Sequence, residues 1–348
     1  MSRFHVVSGK GGTGKTTVAA ALALALAAGG RRTLLVEVEG RQGIAQLFET
    51  EPLPYEERRI AVVPGSPEAP GAAPAAPGEV YALAIDPELA LLDYLQMFYR
   101  LGSAGRALKK LGAVDFATTV APGLRDVLLT GKACEAVRRK NKDGGFVYDA
   151  VVMDAPPTGR ITRFLNVNDE VAGLARIGPI HHQAQSVMGV LKSPDTAVHL
   201  VTVLEEMPVQ ETADGVAELR AAGLPVGGVL VNMVRPRVLG DDTVHAVLGG
   251  PEGGGAAGAG RRVRRTDVAR ALARAGLGGA RRGGRAEMLV DPLLAQAREH
   301  AQRLALEEQE RSAVARLGLP TWELELLGDG VDLAGLHRLA ADLGEQVR

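Results

Sequence analysis

Nine residues near the start of the chain, Gly9-Lys-Gly-Gly-Thr-Gly-Lys-Thr-Thr17, bring together four glycines, two lysines and three threonines. They fit the pattern G-x-x-x-x-G-K-[ST], whose chemistry is the holding of a row of phosphates. Glycines let successive backbone N–H groups turn inward onto anionic oxygens. The helix expected next adds its unpaired N–H groups and its dipole. Gly9, Gly11, Gly12, Thr13 and Gly14 would form the cradle, with Thr17 completing it at the helix start. Lys15 would reach the β- and γ-phosphates, and the Thr16 hydroxyl would ligate Mg²⁺.

Further residues fit the same chemistry. Asp154 ends the apolar run Ala150–Asp154, where an acid can hold a Mg²⁺-bound water at the carboxyl edge of a sheet. Ala155–Gly159 follows, and the Gly159 N–H is placed to sense a γ-phosphate. Lys10 lies early in the loop, where Lys15 already serves the bound phosphates. It is better suited to reach phosphates held by a second subunit, as a lysine counterpart of the arginine finger. Metal chemistry of the thiol kind is excluded within one chain, because Cys134 is the single cysteine. Neither a disulfide, a CxxC pair nor a four-thiolate zinc site can form. His181 and His182 are neighbours that do not share a helix face, so they read as surface or packing residues.

The elements that must position these groups are legible around them. Phe4–Ser8 is a short β-branched run, Val18–Gly30 an Ala/Leu helix too short to span a bilayer, and Arg32–Gly40 a second strand. Strand, glycine loop, helix and strand make a βαβ unit, so the sheet should be parallel with both faces covered. Strand patterns recur at Val80–Asp86, Tyr148–Pro156, Ala197–Leu204 and Pro225–Asn232, and Thr321–Leu327 reads as an edge strand. Helical patterns lie at Pro87–Leu101, Gly123–Lys140, Val209–Ala222 and Pro292–Leu317. The fold class is therefore α/β, a doubly wound, mainly parallel P-loop NTPase sheet filling 1–348 as a single domain. Within it, 64–78 reads as a disordered Pro/Ala/Gly loop, 87–140 as a helical subdomain and 249–286 as a low-complexity Gly/Arg-rich insertion. A short helix at Thr266–Leu277 should carry Val268, Ala271, Leu272 and Ala275 on one face.

Lys10-Gly-Gly-Thr-Gly-Lys-Thr-Thr17 resembles the deviant Walker A loop of the MinD, ParA, nitrogenase iron protein and arsenite-pump ATPases. The stretches YALAIDPELALLDYL, APGLRDVLL, DAPPTGRITRFL, EEMPVQET and VLVNMVRP narrow the resemblance to the ArsA/Get-type ATPases, the arsenite-efflux ATPases and tail-anchored-protein targeting factors. The similarity runs from Phe4 to about Arg237 and resumes near Leu319. It implies a cytoplasmic, nucleotide-gated dimer that binds ATP and Mg²⁺, with Lys10 entering the partner's site. It also implies that Thr16 and Asp154 handle Mg²⁺ and that the Asn232 amide contacts adenine.

The chain departs from that family in three places. The family's switch loop reads Asp-Pro-Ala-His, its Asp directing the attacking water; here the stretch is EVEGRQGIAQLF, with Glu39 in the acid's place. The carboxylate survives with an added methylene, and misplacement by about 1 Å can cost roughly a hundredfold. Slow hydrolysis is expected, with Glu39 positioning water and Glu37, on the same strand face, as the alternative. Arsenite wants clustered thiolates, which one cysteine cannot supply, and the targeting factors' zinc-clamping CxxC is missing. The apolar stretches Phe164–Asp195 and Leu89–Phe116 read as core rather than as a cargo groove.

Composition bounds the partners. Lys+Arg 40 against Asp+Glu 41 gives a net charge of −1, and aromatics are 3%. Nucleic acid is not expected. The last helix has Leu333, Leu336, Leu339, Ala340 and Leu343 on one face and a mixed-sign polar face, which suits docking on the body over lying on lipid. Expected partners are a second copy or a related ATPase, with a membrane protein as the candidate client. The competing function is a non-hydrolysing, ATP-sensing scaffold.

Overall fold

The computed structural model describes residues 2–65, 76–99, 123–174, 179–248, 263–277, 284–328 and 330–347. Most of the expected loop 64–78 and of the Gly/Arg-rich stretch 249–286 lies outside those residues, as do 100–122 of the helical segment 87–140.

At the centre is β1 (Phe4–Gly9), buried along its whole length. It pairs in parallel with β5 (Ala150–Asp154) on one side and β6 (Thr196–Thr202) on the other. Outward from β5 come β2 (Arg32–Glu37), β4 (Gly78–Ala84) and β3 (Arg58–Val63); outward from β6 come β7 (Val226–Val234) and β8 (Thr321–Glu325). The pairs are parallel except β3–β4. Continuous apolar runs suit the inner strands, because a parallel sheet is covered on both faces. The charged β8 does lie at an edge. The opposite edge, β3, carries no run long or apolar enough to mark it, and a register shift between Arg59 and Ala61 interrupts its pairing.

Helices cover both faces. On one side lie α1 (Lys15–Ala27), α2 (Gly43–Leu47) and α11 (Leu333–Val347); on the other lie α3 (Pro87–Tyr99), α4 (Leu124–Arg138), α5 (Thr158–Leu174), α6 (Pro179–Leu191) and α7 (Glu206–Ala221). Helix α1 is apolar all round because it is sandwiched: the sheet lies beneath it, and Leu336, Leu339, Ala340 and Leu343 of α11 are buried in the same core cluster. The apolar stripe of the last helix is thus used on the body of the protein.

The chain divides into two compact units, Met1–Val234 with Val314–Arg348, and Arg235–Ala313. The second holds α8 (Asp241–Leu248), α9 (Arg265–Arg274) and most of α10 (Arg285–Ala315). Helix α10 begins seven residues before Pro292, which sits inside it. A proline there forfeits one helical hydrogen bond, but Ala286 and Val290 are buried and hold the first turns. In α9 the covered face is Val268, Ala269, Leu272 and Ala273, while Ala271 and Ala275 are exposed. Val268 and Leu272 choose the face, since an alanine methyl weighs too little to turn a helix. Arg235 pairs with the buried Glu307 at 2.6 Å, and Arg237 with Glu308 at 2.7 Å.

Two buried imidazoles bridge β1 and β6. His5 and His199 stack with ring centroids 5.3 Å apart, and His5 Nδ1 lies 3.1 Å from His199 Nε2. His5 Nε2 is 3.0 Å from the Ser2 carbonyl, an acceptor only. The neutral tautomers follow: His5 Nε2–H donates to Ser2, so His5 Nδ1 accepts from His199 Nε2–H. His199 Nδ1 is then left bare, and it has no hydrogen-bond partner. Burial lowers both rings, His5 from 6.5 to about 4 and His199 to about 3. Below pH 6.5 the unfolded chain takes up protons that the folded chain refuses, so stability falls as pH falls. Urea midpoints should decline from pH 6.5 towards 4, by up to about 1.4 kcal/mol per pH unit for each ring. A His5→Phe/His199→Phe double variant should show a flatter profile; an identical slope would remove the rings from the acid response.

Candidate active site

The cradle starts where β1 runs out. At Gly9 the backbone presses on β6: a Cβ there would lie 2.6 Å from the Val201 carbonyl and 2.8 Å from Thr13 Oγ1. The chain then turns back, and the Thr13 N–H and hydroxyl both donate to the Lys10 carbonyl, at 3.2 and 2.8 Å. Gly14 enters α1 with φ +78°, in the left-handed region, and lies against the Asn232 side chain. Asn232 Nδ2 donates to the Thr13 carbonyl at 2.9 Å. Strands β6 and β7 therefore hold the loop from behind.

In front of the loop is a cavity of about 320 Å³ at the carboxyl ends of β1, β2 and β5. Gly11, Gly12, Gly14, Lys15, Thr16 and Thr17 line it, as do Lys10, Glu37, Glu39 and Asp154. Gly9 and Thr13 are buried behind the lining and shape the turn. Pro157 borders the cavity, whereas Gly159 is exposed in the first turn of α5. Asn232 also stands outside the lining and contributes through the loop it holds. The neighbouring Met233, at φ +57°, reaches the cavity wall, as do Arg41 and Gly43. None of these three is marked by the sequence, because an irregularity inside β7 and the packing of a short helix leave no residue signature.

Asp154 is the hub. In the sheet it stands level with Val7 of β1 and Glu37 of β2. Its Oδ1 is 2.6 Å from Lys15 Nζ, and its Oδ2 accepts from the Thr16 hydroxyl at 2.7 Å. Burial pushes its carboxyl above the ordinary range, against the pull of Lys15 and Thr16, and the charge of Glu39 adds to the rise. Glu39 Oε2 lies 3.4 Å from Lys15 Nζ, and its Oε1 lies 3.9 Å from Arg41. Behind them, Ser8 Oγ donates to the Pro156 carbonyl at 2.6 Å and the Ala155 N–H to the Val7 carbonyl at 2.9 Å. These bonds tie the Ala155–Gly159 segment to β1.

The two glutamates of β2 and its end have different surroundings. Glu37 is buried and accepts the Gln42 N–H at 2.5 Å and the Ile44 N–H at 3.2 Å, so its carboxylate anchors the start of α2. Glu39 borders the cavity beside Lys15. Lys10 is half-exposed and lies 3.7 Å from Glu211 of α7. A pair so open to water is worth at most about 1 kcal/mol, so little keeps Lys10 from reaching elsewhere.

The residues suit magnesium bound with a phosphate chain. A hydroxyl and a carboxylate at the cradle rim are hard oxygen ligands, and Mg²⁺ takes one or two of these together with substrate phosphates. Among the described residues no group of three or more His, Cys, Asp or Glu could hold a metal alone. Cys134 is buried and its thiol is pushed up to about 12 by burial, so it is inert as a thiolate. His181 and His182 meet edge to face, with centroids 6.0 Å apart.

Removing one member of a buried ion pair strands the other. Asp154→Asn should lower unfolding stability by about 3 kcal/mol, less whatever Glu39 recovers by staying with Lys15. Adding Lys15→Met should restore most of the loss in denaturant titration. Additive losses in the double variant would show that the two side chains are not coupled.

Residues 2–194 match the family model described as anion-transporting ATPase. The chain is 48% identical to ATPase BagA of Mycobacterium tuberculosis, over 99% of this chain and 93% of that protein. It is 26% identical to ATPase GET3 of Kluyveromyces lactis over 67% of this chain and 72% of that protein. Identity is also 26% to the arsenical pump-driving ATPase of Escherichia coli, over 69% of this chain and 41% of that one.

Proposed function

The chain belongs to the anion-transporting ATPase family, and from that premise we propose that it binds ATP with Mg²⁺, hydrolyses it slowly and works as a nucleotide-gated dimer. The observation that carries the reading is the meeting of Lys15, Thr16, Asp154 and Glu39 in front of a glycine cradle at the ends of three adjacent strands. Each group has a task there. The N–H groups of Gly11 to Thr17 and the start of α1 hold the phosphate oxygens. Lys15, now on Asp154, turns to the β- and γ-phosphates, while Asp154 and Thr16 supply oxygens to the metal site. Magnesium, when bound, neutralises charge on the phosphate oxygens. Glu39 accepts a hydrogen bond from the attacking water and sets its direction. Glu37 has its carboxylate committed to two N–H groups of the α2 loop, which supports Glu39 over it. Asn232 Nδ2 is committed to Thr13, and its Oδ1 is left to accept from the adenine amino group. The Gly159 N–H heads α5 and responds to the γ-phosphate through the tethered Ala155–Gly159 segment.

Lys10 acts on a second subunit's nucleotide, either in a homodimer or beside a related ATPase. Dimer closure then passes work to a client, for which a membrane protein is the reading we favour, in the cytoplasm. No described helix is long and apolar enough to cross a membrane. The competing scaffold reading draws on Glu39 itself, whose carboxylate faces Lys15 and Arg41 and is longer than the family's aspartate. A scaffold would bind ATP without magnesium-dependent phosphate release.

Steady-state phosphate release decides between them. Lys15→Ala should weaken ATP binding. Lys10→Ala and Glu39→Gln should leave binding within a few-fold and cut turnover by about a hundredfold or more, the scale on which transition-state contacts act. In mixtures, Lys10→Ala should be rescued in part by a Glu39→Gln subunit, since each supplies what the other lacks. Full turnover by Lys10→Ala alone would dismiss the cross-subunit role.

A further inference from the structure

We propose that Met233 is the platform on which the nucleotide's base lies, so that the cavity reads a flat heterocycle at one end as well as phosphates at the other. This role for Met233 rests on the ATP reading above and adds base recognition to it.

Strand β7 carries one residue too many. Val231 stands opposite Glu323 and Val234 opposite Glu325, so three steps along β7 match two along β8. Such a bulge bends a strand and re-aims a side chain, and bulges gather beside active sites. Met233 lies within it, at φ +57°. Among the described residues only Gln42 and Glu49 are also left-handed without being glycine, and those two bracket α2. A left-handed methionine inside a strand is strained, and strain of this kind collects at ligand sites.

What the strain achieves is visible at Gly14. Neighbouring residues of a strand point to opposite faces. Asn232 and Met233 instead both come to Gly14, where an added Cβ would run into Asn232 Nδ2 and lie 3.4 Å from Met233 Cε. The bulge has turned Met233 towards the phosphate cradle. Asn232 is buried there and holds Thr13, whereas Met233 stays 39% exposed and lines the cavity.

The two ends of the cavity differ in chemistry. Lys15, Asp154 and Glu39 gather at the ends of β5 and β2. Strand β7 stands three places from β5 in the sheet, roughly 14 Å away at the usual strand spacing. At that end Met233 supplies an apolar surface. Among the described residues the one other apolar side chain lining the cavity is Pro157, just past β5. A ligand that suits both ends carries its charge at one and a flat ring at the other, which is the build of a nucleoside triphosphate. Methionine suits the face of such a ring, because its thioether is polarizable and its unbranched chain adapts to what lies on it. The neighbouring Asn232 Oδ1 can accept from the ring's edge while Met233 meets its face.

The test is equilibrium competition against a ribose-labelled fluorescent ATP, on the full chain with magnesium. It compares ATP with inorganic tripolyphosphate, which keeps the charged tail and lacks the base. Met233→Gly suits φ +57° and spares the fold. It should weaken ATP at least fivefold and leave tripolyphosphate within twofold. Met233→Leu, which restores an apolar surface, should recover most of the ATP affinity. Equal losses for both ligands would make Met233 a prop for Gly14 and overturn the proposal. So would unchanged ATP affinity in Met233→Gly. ATP binding by the natural chain with no binding of tripolyphosphate would overturn it too, since the charged end would then hold nothing by itself. A natural chain that binds neither would bring down the ATP reading, and the role of Met233 with it.

Discussion

A carboxylate withdrawn from water at the end of an apolar strand is tolerable only if something opposite in charge stands against it. Asp154 meets that constraint through Lys15 and Thr16, two consecutive residues of the first turn of α1. The pairing is possible because β5 and β1 are neighbours and because the loop between β1 and α1 is short. Parallel strands side by side bring the acid within reach, and the glycine turn aims the start of the helix at it. The rest of the site is arranged around this contact. Glu39 approaches Lys15 from the next strand's end, and Glu37 ties down the segment that carries Glu39.

The constraint also explains how the two faces of the sheet differ. The α1 face is packed with small and branched apolar residues, and α11 seals it. Close packing there keeps α1 from shifting, and with it the lysine and threonine of its first turn. The opposite face carries more polar groups at its rim: Arg139, Glu57, Glu135 and Tyr148 form a partly buried network. Such networks are sensitive to any unmet partner.

Much of this was legible in the order of residues. Continuous apolar runs marked the inner strands, the glycine–lysine pattern marked the cradle, and a charged run marked β8 as an edge. Those signals are local, and the physics behind them is local. What escaped was decided by distant packing. The strand Arg58–Val63 exists because β4 offers it an antiparallel edge. The start of α10 is kept by buried Ala286 and Val290 despite Pro292. The face of α9 follows Val268 and Leu272, not the alanines grouped with them. The separate surroundings of Glu37 and Glu39 follow from the fold of the Gln42–Ile44 turn, which no residue pattern announces. Asn232 was marked only by the family resemblance, and its grip on Thr13 joins positions far apart in the chain.

Strand β7 ends at Val234 and β8 begins at Thr321, yet the two lie side by side in parallel. Such neighbours must be joined by a crossover, and here the crossover contains a compact unit of its own, Arg235–Ala313. The entropic toll of a longer excursion rises only with the logarithm of its length, about 0.6 kcal/mol for each doubling. The sheet's last hydrogen-bond ladder is thus indifferent to what is spliced in between. The gap between these strands is therefore a place where added chain costs the sheet little.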